Sequence, residues 1–306
     1  MMYVMLLVGF LLLVKGADFF VEGASSVARL LRIPSVVIGL TIVAMGTSAP
    51  EAAVSITAGL AGNADISLSN IIGSNIFNIL VVLGVCAVIG KSVPTDREVM
   101  SRDFYWNLAA SVGLFAITLG GTIFRWQGLL LLAAMAAYLV IVIRSALANR
   151  TEEPDEKPLS PLLSLVYIAG GLAAIVIGGD MVVDNASLIA ETLGMSQTLI
   201  GLTIVAMGTS LPELVTSVVA ARKGENGLAL GNVIGSNIFN ILFIMGVASS
   251  LVPIAVAAES VLDMIALLIV SLATLVFCKS RDEISRKEGI IMLLAYAAYT
   301  AWIIVR

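Results

Sequence analysis

Apolar runs long enough to cross a bilayer follow one another along the entire chain. A helix of about 20 apolar residues spans the hydrocarbon core, and only 12% of the 306 residues are charged. Mean hydropathy is +1.05, far above the usual range of soluble domains. The sequence therefore predicts an all-α integral membrane protein with ten transmembrane helices, in segments 3–31, 34–60, 66–90, 102–121, 125–146, 161–193, 196–221, 227–252, 259–278 and 286–305.

Two long motifs occur twice at the same offset of 162 residues. The first reads GLTIVAMGTSAPE at 39–51 and GLTIVAMGTSLPE at 201–213, which agree at twelve of thirteen positions. The second reads NIIGSNIFNIL at 70–80 and NVIGSNIFNIL at 232–242, which agree at ten of eleven. We therefore predict two five-helix repeats of one design, residues 1–148 and 162–306, joined by a polar, proline-containing linker at 149–161.

Lysines and arginines concentrate at alternate ends of the predicted segments. Fourteen lie on one side and two, Arg125 and Arg306, on the other, while Lys15 falls inside a segment. Cytoplasmic loops carry the excess of basic residues. The sequence thus predicts a multi-pass protein of the cytoplasmic (inner) membrane, with both termini outward and the linker in the cytoplasm. Because each half has an odd number of spans, the two repeats are inverted, as in many transporters.

A proline and a glutamate stand side by side at the end of the first repeated motif. Pro50 lacks an amide hydrogen and clashes with the carbonyl of residue 46, so it predicts a helix break around 46–50. Freed carbonyls at membrane depth are tolerated where they line a cavity or meet a partner, and an isolated carboxylate there is costly. A cation would stabilise both Glu51 and these carbonyls. Pro212 and Glu213 repeat the arrangement.

Oxygen-bearing side chains surround both Pro-Glu pairs. An inversion of the repeats would bring the two breaks together near the midplane, with both carboxylates in one site. Oxygen ligands without thiolate or imidazole suit Ca²⁺ or Na⁺ rather than a transition metal. The candidate metal ligands are Glu51, Glu213, Thr47, Ser48, Ser74, Asn78, Thr209, Ser210, Ser236 and Asn240, with Asn75 and Asn237 beside them.

Composition also excludes several classes of function. The chain has no histidine, which rules out His-ligated zinc or haem and Ser-His catalysis. Cys86 and Cys278 stand in apolar segments and are predicted to be small buried side chains. We predict no enzyme activity and no cofactor. The predicted partners are the transported ions and the lipid bilayer, without nucleic acid, and the sequence specifies no oligomeric state.

Acidic residues also occur in the long first segment of each half. Asp18 stands one turn after Lys15, where the two side chains are placed to pair on the helix surface. Asp180, its counterpart at the 162-residue offset, has an apolar residue at the position of that lysine. We consider both aspartates as polar anchors or gate elements, and Glu22 and Asp184 as weaker candidates for the same role.

The paired motifs GTSAPE with GSNIFN and GTSLPE with GSNIFN resemble the two alpha-repeats of the sodium/calcium exchanger family, within the calcium/cation antiporter superfamily, in its compact bacterial and archaeal form. The resemblance covers the whole chain. It implies a binding core of the second, third, seventh and eighth helices, across which the long first and sixth helices slide. It also implies that Glu51 and Glu213 are the central ligands, with backbone oxygens of Ala44 and Ala206. Several relatives carry Asp in place of Asn240, which gives some argument against potassium co-transport here.

The predicted function is a secondary antiporter that exchanges Ca²⁺ for Na⁺ by alternating access. An antiporter of Ca²⁺, or of another divalent cation, for H⁺ is an alternative, because two glutamates can each accept a proton. A cation channel is a third possibility, although a dehydrated two-carboxylate site binds too tightly for fast passage. Aspartyl-protease chemistry would require paired aspartates, whereas the repeated acids are glutamates.

Overall fold

The computed structural model describes residues 1–95, 99–149, 157–195, 204 and 206–305. Within them, seven helices are long and apolar enough to cross a membrane, or eight if a pair bent by 50° counts as one span. The protein is thus an all-helical, multi-pass membrane protein. In chain order its helices are α1 (Met2–Leu31), α2 (Ser35–Thr47), α3 (Ala49–Leu60), α4 (Ala64–Gly90), α5 (Phe104–Thr118), α6 (Arg125–Ala148), α7 (Pro161–Thr192), α8 (Leu211–Arg222), α9 (Asn226–Leu251), α10 (Ala258–Arg281) and α11 (Arg286–Val305).

Two of the ten predicted segments hold helices shorter than a full span. Helix α5 has 15 residues and follows a single wide π-helical turn, Val99–Asp103. Helix α8 has 12 residues, and most of the chain just before it, at 196–203 and 205, lies outside the described residues. The count of ten spans therefore stays a prediction.

Short antiparallel strand pairs connect helix ends, a feature that the sequence did not predict. Strands β1 (Ser92–Pro94) and β4 (Glu283–Ser285) pair with each other, as do β2 (Thr122–Ile123) and β3 (Ile254–Ala255). They occupy the connections at the ends of α4, α5, α9 and α10. Each pair joins a connection in the first half of the chain to one in the second.

Helices α4 and α9 form the centre of the bundle. In the most apolar stretch of α9, 94% of the residues are buried, and in that of α4 78% are, against 11% for α11. Polar residues on α4 and α9 are thereby shielded from lipid, while the outer helices carry the exposed apolar side chains. The buried polar side chains therefore lie inside the protein, where the bilayer does not reach them.

The long helices α1 and α7, of 30 and 32 residues, pack together along most of their length. Small residues at a spacing of seven let the two backbones approach closely. A Cβ atom added to Gly9 would lie 3.0 Å from the carbonyl oxygen of Gly178, and one added to Gly16 would lie 2.8 Å from that of Gly171. A Cβ on Gly23 would lie 2.8 Å from the carbonyl of Ser164. We call these three contacts the glycine seam, a packing mode typical of membrane helices.

The predicted helix break is present in the first repeat. Helix α2 ends at Thr47 and α3 begins at Ala49, with Ser48 at φ −81° and ψ 11° between them. Pro50 lies in the first turn of α3, where its missing amide hydrogen costs no helical hydrogen bond. Gly46 lies within α2 and leaves room for Phe20 of α1, since an added Cβ would be 3.1 Å from the Phe20 ring. In the second repeat, Pro212 lies in the first turn of α8.

The glycine seam generates a prediction about two adjacent glycines of α7. An added Cβ at Gly171 would lie 2.6 Å from the Phe20 amide nitrogen, whereas one at Gly170 would meet nothing within 4 Å. We expect Gly171→Ala to lower the free energy of unfolding by about 1–3 kcal/mol through overpacking. Gly170→Ala should be neutral or stabilising, because alanine is the better helix former. Thermal unfolding of both variants in detergent measures this, and equal stabilities would contradict the seam.

Candidate cation-binding site

The two repeated glutamates are buried and each contacts the other half of the chain. Glu51 lies in the first turn of α3 and Glu213 in the first turn of α8, and neither exposes any surface. The Ser48 hydroxyl donates a hydrogen bond to Glu213 Oε1 at 2.8 Å. The Ser210 hydroxyl donates to Glu51 Oε1, also at 2.8 Å. These reciprocal bonds bring the two breaks together, as the sequence predicts.

Helix N-termini explain how these carboxylates are positioned. The first turn of a helix has free amide hydrogens and the positive end of the helix dipole, which favours negative charge. Each break creates such a terminus inside the protein, and each glutamate lies within its first turn. Ser74 of α4 donates a further hydrogen bond, at 3.4 Å, to Glu51 Oε1.

Four asparagines, next to the two glutamates in the candidate site, form hydrogen bonds between α4 and α9. Asn78 Nδ2 donates to Asn237 Oδ1 at 3.1 Å, and Asn240 Nδ2 donates to Asn75 Oδ1 at 3.0 Å. The side chains of Asn75 and Asn237 each donate to the other residue's backbone carbonyl at 3.3 Å. Asn75 and Asn237 therefore hold the two central helices together. They also occupy the donor groups of Asn78 and Asn240.

Asn78 and Asn240 lie in wide π-helical turns. Asn78 begins the turn Asn78–Val82 in α4, and Asn240 lies in the turn Phe239–Ile244 of α9. Another π-helical turn, Gly39–Val43, precedes the break in α2. Such turns are rare and are frequent at functional sites, because they alter the direction of side chains within an otherwise regular helix.

Several buried oxygens of this cluster have no hydrogen-bond partner among the described residues. They are Glu51 Oε2, Glu213 Oε2, Asn78 Oδ1, Asn240 Oδ1 and Thr209 Oγ1. Neither glutamate forms an ion pair with a lysine or arginine within the described ranges. Burying such acceptors without a donor costs free energy. Hard oxygen atoms arranged in this way are the ligands that Ca²⁺ and Na⁺ prefer.

The remaining predicted ligands differ in their surroundings. Thr47 is buried and donates to the carbonyl of Val43 and to Asn232 Oδ1, both at 3.1 Å. Ser236 donates to the carbonyl of Ala44 at 3.5 Å. Ala206 opens the short helical turn Ala206–Gly208, beside a residue outside the described part, and its carbonyl stays a predicted ligand.

Sequence reasoning missed two supporting pairs. Asn70 Nδ2 donates to Ser55 Oγ at 2.9 Å and to the Glu51 carbonyl at 3.5 Å. Asn232 Nδ2 donates to Ser217 Oγ at 2.9 Å and to the Glu213 carbonyl at 3.4 Å. These contacts fix the backbone at each glutamate. The repeat itself carried the signal, since all four residues recur at the 162-residue offset.

In the structure, the Asp18 carboxylate does not pair with Lys15. Asp18 Oδ1 instead lies 2.7 Å from the amine of Lys223, because α1 packs against the end of α8 and brings that lysine to the same face. Asp180 has no basic partner within the described residues. The two aspartates thus have different environments despite their equivalent positions.

Comparison with known proteins places the chain in a family. The sequence pattern described as "Sodium/calcium exchanger protein" matches residues 1–144 and 163–305. The chain therefore belongs to the sodium/calcium exchanger family, whose members are membrane transporters of cations. Two relatives are the putative antiporter CaxA of Alkalimonas amylolytica, 40% identical with 97% of this chain and 96% of the relative covered, and the sodium/calcium exchanger MaX1 of Methanosarcina acetivorans, 36% identical with 97% of each covered.

Solved structures agree with this assignment. The sodium-calcium exchanger NCX_Mj, soaked with 10 mM Na⁺ and zero Ca²⁺, has 35% sequence identity to this chain and superposes with a TM-score of 0.87 over 98% of both chains. The same exchanger soaked with 2.5 mM Na⁺ and 0.1 mM Ca²⁺ gives a TM-score of 0.85 at 34% identity, covering 96% of each chain. The fold described above is thus that of a sodium-calcium exchanger.

The supporting asparagines generate a prediction, because their contacts are unequal. Asn232 is fully buried and also accepts the hydrogen bond from Thr47, whereas Asn70 is half-buried and accepts no such bond from Thr209 within the described residues. We expect Asn232→Ala to lower the free energy of unfolding by about 1–3 kcal/mol, since it leaves buried partners unsatisfied. The matched variant Asn70→Ala should cost less. Unfolding in detergent measures both, and a larger loss for Asn70→Ala would contradict the unequal roles.

Proposed function

We propose that this protein is a secondary antiporter that exchanges Ca²⁺ for Na⁺ by alternating access. The buried acceptor oxygens of Glu51, Glu213, Asn78 and Asn240, which have no hydrogen-bond donor in the described protein, carry the proposal. They combine two carboxylates with neutral oxygens, which is a ligand set for hard cations. Membership of the sodium/calcium exchanger family and the antiporter names of the relatives support it.

The proposed ligands follow from charge and position. Two ionised glutamates give the site a charge of −2, which one Ca²⁺ or two Na⁺ would balance. The repeated hydroxyls and amides then supply neutral oxygens and replace part of the hydration shell. In this proposal Glu51 and Glu213 are the central ligands, completed by Thr47, Ser48, Ser74, Asn78, Thr209, Ser210, Ser236, Asn240 and the backbone oxygens of Ala44 and Ala206.

We also propose that the chain forms ten transmembrane helices in two inverted repeats, residues 1–148 and 162–306. The pairing of contacts supports it. The bond from Ser48 to Glu213 corresponds to that from Ser210 to Glu51, and the bond from Asn78 to Asn237 corresponds to that from Asn240 to Asn75, each at an offset of 162. Such reciprocity is what an approximate two-fold axis through the site produces. The polar linker 149–161 then joins the repeats.

The topology that we propose is that of the cytoplasmic membrane, with both termini outward and the linker in the cytoplasm. It rests on the distribution of basic residues. An impermeant thiol reagent added outside intact cells should therefore reach a single cysteine at Pro253 but not one at Arg222. A cysteine at Arg97, which lies outside the described residues, should also be protected. Labelling of position 222 from outside would refute the inverted arrangement.

The central glutamates generate the next prediction. We expect Glu51→Gln and Glu213→Gln each to abolish Ca²⁺ transport, because a divalent cation then lacks half of its neutralising charge. Folding should survive, since the amide keeps the volume and removes a costly buried charge. Asp65→Asn, which neutralises an exposed carboxylate in the first turn of α4, is the matched control and should transport normally. Wild-type Ca²⁺ uptake in vesicles by either glutamine variant would rule out that glutamate.

Coupling to Na⁺ predicts that transport responds to the membrane potential. The family likeness suggests three Na⁺ for each Ca²⁺, so that each cycle moves one net positive charge. A membrane potential would contribute roughly 2.3 kcal/mol per 100 mV to that charge. Na⁺-loaded vesicles with equal pH on both sides should therefore take up Ca²⁺, and faster when a potassium ionophore clamps the lumen positive.

Other outcomes of the same measurement select the alternatives. Uptake that ignores Na⁺ but follows an imposed pH difference would indicate a Ca²⁺/H⁺ antiporter, with protons on the glutamates. Ca²⁺ flux that needs no counter-ion would indicate a channel. Uptake that depends on Na⁺ but not on voltage would agree with Ca²⁺/Na⁺ antiport and contradict a stoichiometry of three Na⁺ per Ca²⁺. Dependence on K⁺ would contradict the expectation from Asn240.

A further inference from the structure

Two pairs of acidic residues occupy equivalent positions on the long helices. Asp18 and Glu22 lie on α1, and Asp180 and Asp184 lie 162 positions later, on α7. The two pairs stand in similar sequence contexts but have different surroundings. This difference shows that the contacts which fasten α1 to α8 have no equivalent at the acidic pair of α7 in the described part of the chain.

The pair on α1 is bound by a lysine. The Lys223 amine, at the C-terminus of α8, lies 2.7 Å from Asp18 Oδ1 and 3.2 Å from Glu22 Oε2, and it donates to the Asp18 carbonyl at 3.1 Å. A second tie joins Arg29 of α1 to Glu225, in the connection after α8, at 3.0 Å. Helix α1 is thus fastened to the end of α8 by ion pairs.

The pair on α7 has no such lysine. The position equivalent to Lys223 is Ala61, which ends α3 in nearly the same backbone conformation. The counterparts of Arg29 and Glu225 are Glu191 and Asn63, which cannot form an ion pair with each other because asparagine is neutral. Asp180 and Asp184 instead line an open cavity of about 340 Å³.

That cavity borders the candidate site. Its walls include Pro50, Thr209 and Pro212, beside both helix breaks. The Thr209 hydroxyl has no partner among the described residues, whereas the equivalent hydroxyl of Thr47 bonds to Asn232. The groove on the Lys223 side is lined by Val14, Lys15, Asp18, Val219, Arg222 and Lys223, and includes none of the candidate ligands.

Equivalent positions in α3 and α8 agree with this asymmetry. Ala53 lies on the cavity wall and is exposed, while its counterpart Val215 is half-buried against the cluster that contains α1. The protein is therefore open towards the α7 aspartates and closed beneath α1. Lys223 lies at the place where α1 would have to separate from α8 for the other side to open.

We propose that Lys223 is a latch that holds α1 against α8 and stabilises the state open on the Asp180 side. The proposal rests on the alternating access described above. Opening the Lys223 side would break its contacts with Asp18 and Glu22. No equivalent ion pair holds Asp180 or Asp184 within the described residues, so the two access states are unequal in stability. Lys223 is thus a positioning residue that sets the balance of the two states and does not touch the transported ion.

The test uses reciprocal cysteine reporters in a background with Cys86 and Cys278 replaced by alanine. Ala53→Cys reports the cavity side and Val215→Cys the latched side, by their rates of modification with a water-soluble thiol reagent in detergent without ions. We expect Lys223→Ala to slow labelling at 53 and to speed it at 215, through a shift of about threefold to tenfold in the equilibrium between the two access states, as the loss of two partly exposed ion pairs implies.

Two control variants separate the latch from general charge effects. Lys223→Arg keeps the positive charge and should preserve both labelling rates. Arg222→Ala removes a neighbouring charge that has no ion pair within the described residues, and it should leave both rates unchanged. Unchanged rates in Lys223→Ala, or the same shift in Arg222→Ala, would overturn the latch.

A latch can also be installed on the opposite side. Ala61→Lys places a lysine at the position equivalent to Lys223, where it would meet Asp180 and Asp184 once that side closes. It should slow labelling at 53 even if Lys223→Ala does not fold, and an unchanged rate would overturn the proposal. Labelling does not depend on transport. Reciprocal shifts in labelling, in a protein that exchanges no Ca²⁺, would support the latch and refute the proposed function. Active Ca²⁺ exchange with unshifted labelling would support the proposed function and refute the latch.

Discussion

Two buried carboxylates without a basic partner are the constraint on which the rest of this structure depends. Glu51 and Glu213 expose no surface, and neither pairs with a lysine or arginine in the part of the chain described. A continuous helix would offer such a group no free amide hydrogens. The breaks before α3 and α8 provide helix N-termini inside the protein, and the serines at those breaks provide hydroxyl donors. The local irregularities therefore follow from the need to stabilise charge at membrane depth.

The reciprocal contacts also mean that neither half can build the site alone. Each glutamate receives its shortest hydrogen bond from the serine of the other half, and Asn75 and Asn237 bond across the same boundary. Helices α4 and α9 are accordingly the most buried of the seven long apolar helices among the described residues. A single set of contacts thus joins the two halves and arranges the candidate ligands.

Much of the site could be predicted from the sequence because the chemistry is repeated. Proline followed by glutamate in an apolar segment, with hydroxyls before it and GSNIFN after it, indicates both the break and the oxygen cluster. The roles of Asn70 and Asn232 were visible in the same repeat but were not assigned. The short strands and the wide helical turns escaped prediction, because two or three residues of pairing or one extra residue in a turn leave little trace in hydrophobic periodicity.

The differences between the halves could not be predicted, because nearly identical motifs occupy unlike surroundings. Thr47 and Thr209 have the same neighbours in sequence, yet within the described part of the chain Thr47 bonds to an asparagine and Thr209 does not. Asp18 pairs with Lys223, which lies 205 positions later in the chain. Such contacts depend on where α1 and α7 lie against the central helices, and local pattern contains no information about that placement.

The glycine seam has a consequence for leakage. Its contacts run from Gly9 to Gly23 on α1, a length of about 21 Å at 1.5 Å per residue. Two antiparallel helices that pack along such a length, with their backbones in close contact, behave as one rigid unit. If this rigid unit tilts or slides to uncover the opening on the Asp180 side, it must cover the opening on the Lys223 side in the same movement, and the reverse. We call these two openings the two mouths of the protein. In the alternating access proposed above, mutual exclusion of the two mouths would then arise from rigidity alone, and ions would have no continuous path across the membrane.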